Sequence, residues 1–327
     1  MGFLLVGIPL LVSLAGLAAV FWFGSGTMII PKRRALEQRH LDLLETPSEF
    51  GLHLEPFEAE TGDGFWLKGF LATPIPLSEM GTAERTRRMQ KRLSRKGITS
   101  GGPNRGTIVL LHGRGGLKEN MLTVAQRFVA ADFRCVVYDA RAHGVSEGKY
   151  TTYGDREVDD LSRVLDHVES ILMNRGENTG PVFGFGLSLG AAVLLQSLER
   201  EKRIRAAVAV APFGNLRKQM IFTARKMSFQ SLPEWIPCGV ARIAGWRAGF
   251  DPFTISPEKS AVGVLIPIFI VHGAKDKVIP LADSRTLFQS LQSPEKQWRE
   301  ISGGSHRNVL AEGGDELYEE MIEFYLR

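Results

Sequence analysis

The sequence predicts an α/β fold: a mainly parallel sheet with helices on both faces, an N-terminal antiparallel hairpin and a small helical lid. Three observations predict it. Short, wholly apolar runs such as Thr107-Ile-Val-Leu-Leu111 alternate with longer amphipathic segments, as buried parallel strands alternate with crossover helices. Ahead of them, two stretches of alternating polarity flank a glycine-containing turn, the signature of a hairpin. One apolar strand then runs into a Gly-x-Ser-x-Gly turn that opens a helical pattern, Gly186-Leu187-Ser188-Leu189-Gly190. With 327 residues, 44% hydrophobic and 23% charged, the chain is long enough for one large domain or two smaller ones around a sizeable core.

Gly2 to Phe23 contains no charged residue. As a helix this stretch spans ~33 Å, enough to cross the hydrocarbon core of a bilayer. A cleaved signal would begin with a basic region, and only Met1 precedes the run. Residues 1–26 therefore read as a transmembrane anchor. Lys32, Arg33 and Arg34 follow it, which places the rest of the chain on the cytoplasmic side. Residues 27–50 read as a connector, polar and helical from Ala35, that lifts the domain off the membrane; residues 51–327 form the folded domain.

His53 to Glu60 and Phe65 to Ala72 alternate as the hairpin strands about Thr61-Gly-Asp-Gly64. An insertion at 74–105 follows, helical from Ala83 to Lys96. Between Glu84 and Arg105 it holds eight Lys or Arg against one acid. The overall +4 charge is thus confined to one patch and gives no case for a nucleic-acid-binding domain. The patch reads as a solvated surface excursion, with contact to anionic lipid headgroups as the sharper alternative. Then come strand Thr107–Leu111, helix Glu119–Ala131, strand Arg134–Asp139, helix Asp155–Met173, the Ser188 strand and helix, and strand Ile204–Val210. Ile268–Val271, Leu281–Leu291, Gln297–Ile301 and Glu316–Leu326 complete the set. Residues 212–262 form an insertion between two strands of the sheet, a lid in the family that the chain resembles. Its aromatic content from Phe213 to Phe253 is about twice the 9% of the whole chain, and Phe222, Phe229, Trp235, Trp246 and Phe250 either line an acyl pocket or pack the lid onto the core. Cys135 and Cys238 stand far apart, without metal-ligand spacing, and Cys135 reads as a buried free thiol.

Right-handed crossovers bring the C-terminal ends of parallel strands to one edge, where reactive loops belong. Ser188 sits there on a sharp strand-to-helix turn. Side chains two residues to either side would collide with the adjoining strand and helix, so both positions are glycine. A hydroxyl becomes a nucleophile only when a base takes its proton and an acid orients that base. His306, in Ser302-Gly-Gly-Ser-His306, is the candidate base. Asp276, after the strand ending at Val271, is the candidate orienting acid; its rival Asp283 falls inside the next helix. The backbone N–H groups of Leu189 and Arg114 are candidate oxyanion donors. His112, at a strand end, reads as a structural hydrogen-bonding residue. A second Gly-x-Ser-x-Gly, around Ser146, follows polar sequence and reads as a turn.

The order Ser188, Asp276, His306, with His112-Gly-Arg-Gly-Gly116 upstream, resembles the α/β-hydrolase superfamily over about His53 to Arg327. Asp139-Ala-Arg-Ala-His-Gly-Val-Ser146 resembles the Asp-x-Arg-Gly-x-Gly-x-Ser loop of that family, with Ala142 where glycine is usual. In closer detail the chain is similar to membrane-anchored, small-lid members near the serine aminopeptidase-like and dienelactone hydrolase-like groups. That resemblance implies an α/β-hydrolase fold and a membrane-anchored serine hydrolase. Carboxylic esters or thioesters of apolar, lipid-like acyl groups are then the expected substrates. No metal, organic cofactor or nucleic-acid partner is expected. A peptidase or amidase acting on short peptides, and a catalytically silent binding protein, are the alternatives.

Overall fold

Alternating polarity near the start of the chain and apolar runs further along build one eight-stranded sheet in the computed structural model, which describes residues 2–76, 78–227 and 232–327, with side chains from residue 15 onward. The chain opens with α1 (Gly2–Ile29) and α2 (Gln38–Glu45), then the hairpin β1 (Leu52–Glu60) and β2 (Trp66–Pro74). α3 (Glu84–Ser94) lies in the insertion. β3 (Thr107–Leu111), α4 (Lys118–Val129), β4 (Arg134–Tyr138), α5 (Glu157–Met173), β5 (Val182–Leu187), α6 (Leu189–Ser197) and β6 (Ile204–Val210) alternate strictly. The lid carries α7 (Leu216–Met227), α8 (Trp235–Ala248) and α9 (Pro257–Ser260). β7 (Ile268–Gly273), α10 (Leu281–Ser290), β8 (Lys296–Ile301) and α11 (Val309–Tyr325) finish the fold.

The strand order is β1-β2-β4-β3-β5-β6-β7-β8. The pairings of β2 with β1 and with β4 are antiparallel, and every later pairing is parallel. Apolar strands buried on both sides require cover on both sides, and two cores supply it. One lies between the sheet and α5 and α6, around Leu161, Val164, Leu165 and Leu194. The other lies beneath α4 and α11, around Phe128, Phe185, Met321 and Tyr325. There the Tyr325 hydroxyl donates to the Gly184 carbonyl at 2.6 Å, in the middle of β5. The expected buried thiol is Cys135 on β4, free and held well above the usual thiol range by burial.

Three expectations change. The polar stretch after α1 does not lift the domain away: Leu43 of α2 is buried, and the His40 ring meets the Asn120 side-chain amide of α4 at 3.0 Å. Nor is the basic insertion wholly a solvated excursion, although most of its basic residues are exposed. Met89 and Leu93 bury one face of α3, and on another face Arg88, Arg92 and Lys96 pair in register with Asp315, Glu319 and Glu323 of α11. Among the described residues, no helix is long and apolar enough to cross a membrane, so the transmembrane helix expected at 1–26 finds no support there. The last turns of α1 are instead built into the domain, with Ser25 and Ile29 fully buried.

Candidate active site

At the end of β5 the chain has no room for ordinary side chains. A Cβ placed on Gly186 lies 2.5 Å from the Ala191 Cα of α6. One on Gly190 lies 2.3 Å from the Leu111 carbonyl oxygen at the end of β3. These two glycines allow α6 to start hard against the sheet, and Ser188 between them is forced to φ 55°, ψ −113°. A non-glycine residue there stores strain of about 1–3 kcal/mol. The bend is held by the Ser188 N–H donating to Val210 O at 2.8 Å and the Ala192 N–H to Ser188 O at 3.0 Å. The side chain is left half-buried at the positive N-terminus of α6.

The Ser188 hydroxyl donates to His306 Nε2 at 2.9 Å, and His306 Nδ1 donates to Asp276 Oδ2 at 2.7 Å. Three residues far apart in sequence meet because β5, β7 and β8 end at the same edge. A carboxylate only accepts, so the imidazole carries its proton on Nδ1 and offers Nε2 as the acceptor. The Asp276 side chain is fully buried. Burial alone would raise its pKa, but the bond from His306 and the N–H groups of Ile279 (2.9 Å) and Val278 (2.7 Å) hold the carboxyl below the usual range. Asp276 is therefore ionised and fixed. Asp283 sits half-buried in α10, where burial raises its pKa, and it makes no bond to the imidazole among the described residues.

The loop after β3 lies against the serine. A Cβ on Gly113 would be 3.3 Å from the Ser188 Cβ, so the residue that leads into Arg114 packs directly against Ser188. Among the described residues, neither the Arg114 nor the Leu189 backbone N–H donates to another protein group. His112 is occupied as expected. Its Nδ1 donates to Gly113 O at 2.8 Å and its Nε2 accepts from the Ala140 N–H at 3.0 Å, with burial keeping the ring neutral. The Ser146 hydroxyl is fully buried and donates to Asp139 O at 2.7 Å, which makes it a structural turn residue.

Sequence reading missed two supports of the site. His272, buried at the end of β7, donates from Nε2 to Ile279 O at 3.2 Å and bridges the base of the Asp276 loop. Its place four residues before Asp276, on the same tight loop, was the available signal. Arg141 reaches Asp160 of α5 twice at 2.6 Å and Asp63 of the hairpin turn at 3.0 and 3.1 Å, locking three elements behind the site. The lid aromatics divide. Phe250 and Phe222 are half-buried, whereas Trp235 (57% exposed) and Trp246 (75%) face outward. Phe229 lies outside the described residues.

The family profile for serine aminopeptidase, S33 (Hydrolase_4), matches residues 102–246. The fold is that of the α/β hydrolases, and the partial profile match and the sequence likeness support a relationship to their serine hydrolase superfamily. Among individual proteins, it is 28% identical over 192 residues to YqkD of Bacillus subtilis, covering 58% of this chain and 61% of that one, short of two thirds of its length. It is also 28% identical over 233 residues to the monoacylglycerol lipase of Mycolicibacterium smegmatis, covering 62% of this chain and 81% of the lipase. The esterase Pf2001 of Pyrococcus furiosus superposes with a TM-score of 0.66 at 22% identity, over 91% of this chain and 98% of that one. That last likeness bears on the fold alone.

Proposed function

We propose that this protein is a membrane-anchored serine hydrolase that cleaves carboxylic esters or thioesters of apolar acyl groups. The observation that carries the reading is the continuous bonded row from Ser188 through His306 to Asp276 at the sheet edge. In this mechanism Ser188 Oγ attacks the acyl carbon while its proton passes to His306 Nε2. Asp276 holds the imidazole in the tautomer that accepts it and stabilises the imidazolium formed. The Leu189 and Arg114 N–H groups take the oxyanion of the tetrahedral intermediate. Collapse expels the alcohol or thiol, which receives the proton from His306. A water then repeats the sequence on the acyl-enzyme and releases the acid.

Support for an apolar acyl group comes from the likeness to a monoacylglycerol lipase. Support for a membrane location comes from the charge-free sequence 2–23. It also comes from the exposed Trp22 and Phe23 of α1 beside the exposed Trp235 and Trp246 of α8, since tryptophan favours the membrane–water interface. The domain lies on the cytoplasmic side in this reading. The family profile's aminopeptidase description favours a second reading, cleavage of short peptide amides.

A fluorophosphonate probe with p-nitrophenyl esters of graded length, set beside aminoacyl amides, tests these readings. The full chain in detergent should be labelled, Ser188→Ala should not, and turnover should peak at medium or long acyl chains. A membrane-impermeant probe should label intact cells only after permeabilisation. A wild type that is neither labelled nor active on esters overturns the main reading, and turnover of amides alone establishes the second.

A further inference from the structure

The last turn of α1 leaves backbone carbonyls without helical partners, at the negative end of the helix dipole. Here they are taken up by the catalytic edge of the sheet. The Arg114 guanidinium donates to the carbonyl oxygens of Thr27, Met28 (3.0 Å) and Ile30 (3.4 Å). The Tyr153 hydroxyl donates to the same Met28 oxygen at 2.6 Å, and the Thr151 N–H to Ile29 O at 2.8 Å. Just beyond the helix, Arg33 donates to Gly144 O (2.7 Å) and Gly148 O (3.1 Å). From the lid, Arg247 donates to Trp22 O and Ser25 Oγ, both at 2.7 Å. Residues 22–33 thus strap together α8, the 144–153 loop and the loop bearing Arg114.

Arg114 is the joint in this arrangement. It directly follows Gly113, which packs against Ser188, and its side chain grips the N-terminal helix. We infer that the Arg114 side chain is a positioning group: by holding the end of α1 it fixes the backbone N–H that faces the oxyanion, so the N-terminal helix is a working part of the catalytic assembly. This rests on the reading of Ser188 as nucleophile. An oxyanion donor gains its effect from being fixed before charge develops, and displacement by a fraction of an ångström weakens it.

Full-length wild type, Arg114→Ala, Arg114→Lys, Tyr153→Phe and the Arg114→Ala/Tyr153→Phe double variant are compared in detergent for ester turnover, fluorophosphonate labelling rate and Tm. Arg114→Ala keeps the backbone N–H. It should nevertheless lower kcat and the labelling rate about 10- to 30-fold, below the ~10²–10³ for outright loss of a donor, with KM little changed. Lysine, which reaches a carbonyl as a point charge, should restore most of the rate. Tyr153→Phe should lower kcat less, and the double variant should fall short of the product of the single effects, because both side chains hold one carbonyl. Wild-type kcat and labelling in Arg114→Ala overturn the inference while leaving the Ser188 reading intact. A loss confined to KM and Tm overturns it equally. An unlabelled wild type removes both.

Discussion

Replacing Gly190 by alanine puts a methyl carbon 2.3 Å from the Leu111 carbonyl oxygen, 2.6 Å from the Leu111 carbonyl carbon and 2.7 Å from the His112 oxygen. All three are backbone atoms of β3 and its extension, so no side chain can swing aside. Restoring contact distance requires a separation of about 1 Å between α6 and the end of β3. Overpacking of this kind typically costs about 1–3 kcal/mol, and rigid backbone neighbours put this site at the upper end. Alanine recovers about 1 kcal/mol of helix propensity, leaving a net loss of about 2 kcal/mol. For a chain of this size that lowers Tm by about 3 °C. Activity should fall further than stability, because His112 leads directly into Gly113 and Arg114. A displacement of ~1 Å at the donor loop is worth on the order of 100-fold in kcat. Thermal unfolding by circular dichroism and p-nitrophenyl ester turnover measure the two effects. Gly263→Ala, where the added carbon meets nothing within 4 Å, is the control and should change neither. Wild-type Tm and kcat/KM in Gly190→Ala would show that the close approach of α6 to β3 does not shape the site.

Two further outcomes follow from groups already described. Asp276→Asn turns an acceptor toward His306 into an amide donor, which favours the tautomer with the proton on Nε2 and removes the acceptor for Ser188. kcat should drop about 10⁴-fold with little change in Tm, and a loss under tenfold would show that the carboxylate does not set the tautomer. His143 packs its ring edge-on against His112 at 5.0 Å, with Nδ1 donating to Arg141 O at 2.8 Å, and burial lowers its pKa to about 3. Because the folded value lies below the unfolded ~6.5, the stability this neutral ring confers is complete above that pH and is lost as pH falls toward 3. The slope is at most about 1.4 kcal/mol per pH unit. Urea titrations between pH 7 and 5 should show a shallower decline for His143→Gln than for wild type, and parallel curves would sink the assignment.

The strands and the Ser188 turn were legible because their causes are local. β3 and β6 are apolar runs of strand length, and the glycines at 186 and 190 are demanded by atoms a few residues or one strand away. Other features needed tertiary facts. The anchor expected at 1–26 stops short of the helix, since α1 continues to Ile29 where Val240 and Arg247 of α8 lie against Gly24 and Gly26. Trp235 and Trp246 carry the composition of a pocket, but their helix turns them outward. α11 starts at Val309, before the expected Glu316, and runs through a kink at Gly314 where two glycines mask the helical pattern. The acidic partners of Arg88, Arg92 and Lys96 lie more than 200 residues away, beyond any local pattern.

The hydroxyl of Tyr325 anchored on β5 has a consequence for synthesis on the ribosome. The strand that ends in Ser188 is made early, but its floor is completed by a ring contributed some 140 residues later. Until that ring has been made, the middle of β5 lacks the hydroxyl that donates to Gly184 O. The sheet beneath the Ser188 turn is thus completed only after a residue far along the chain from β5 has been made.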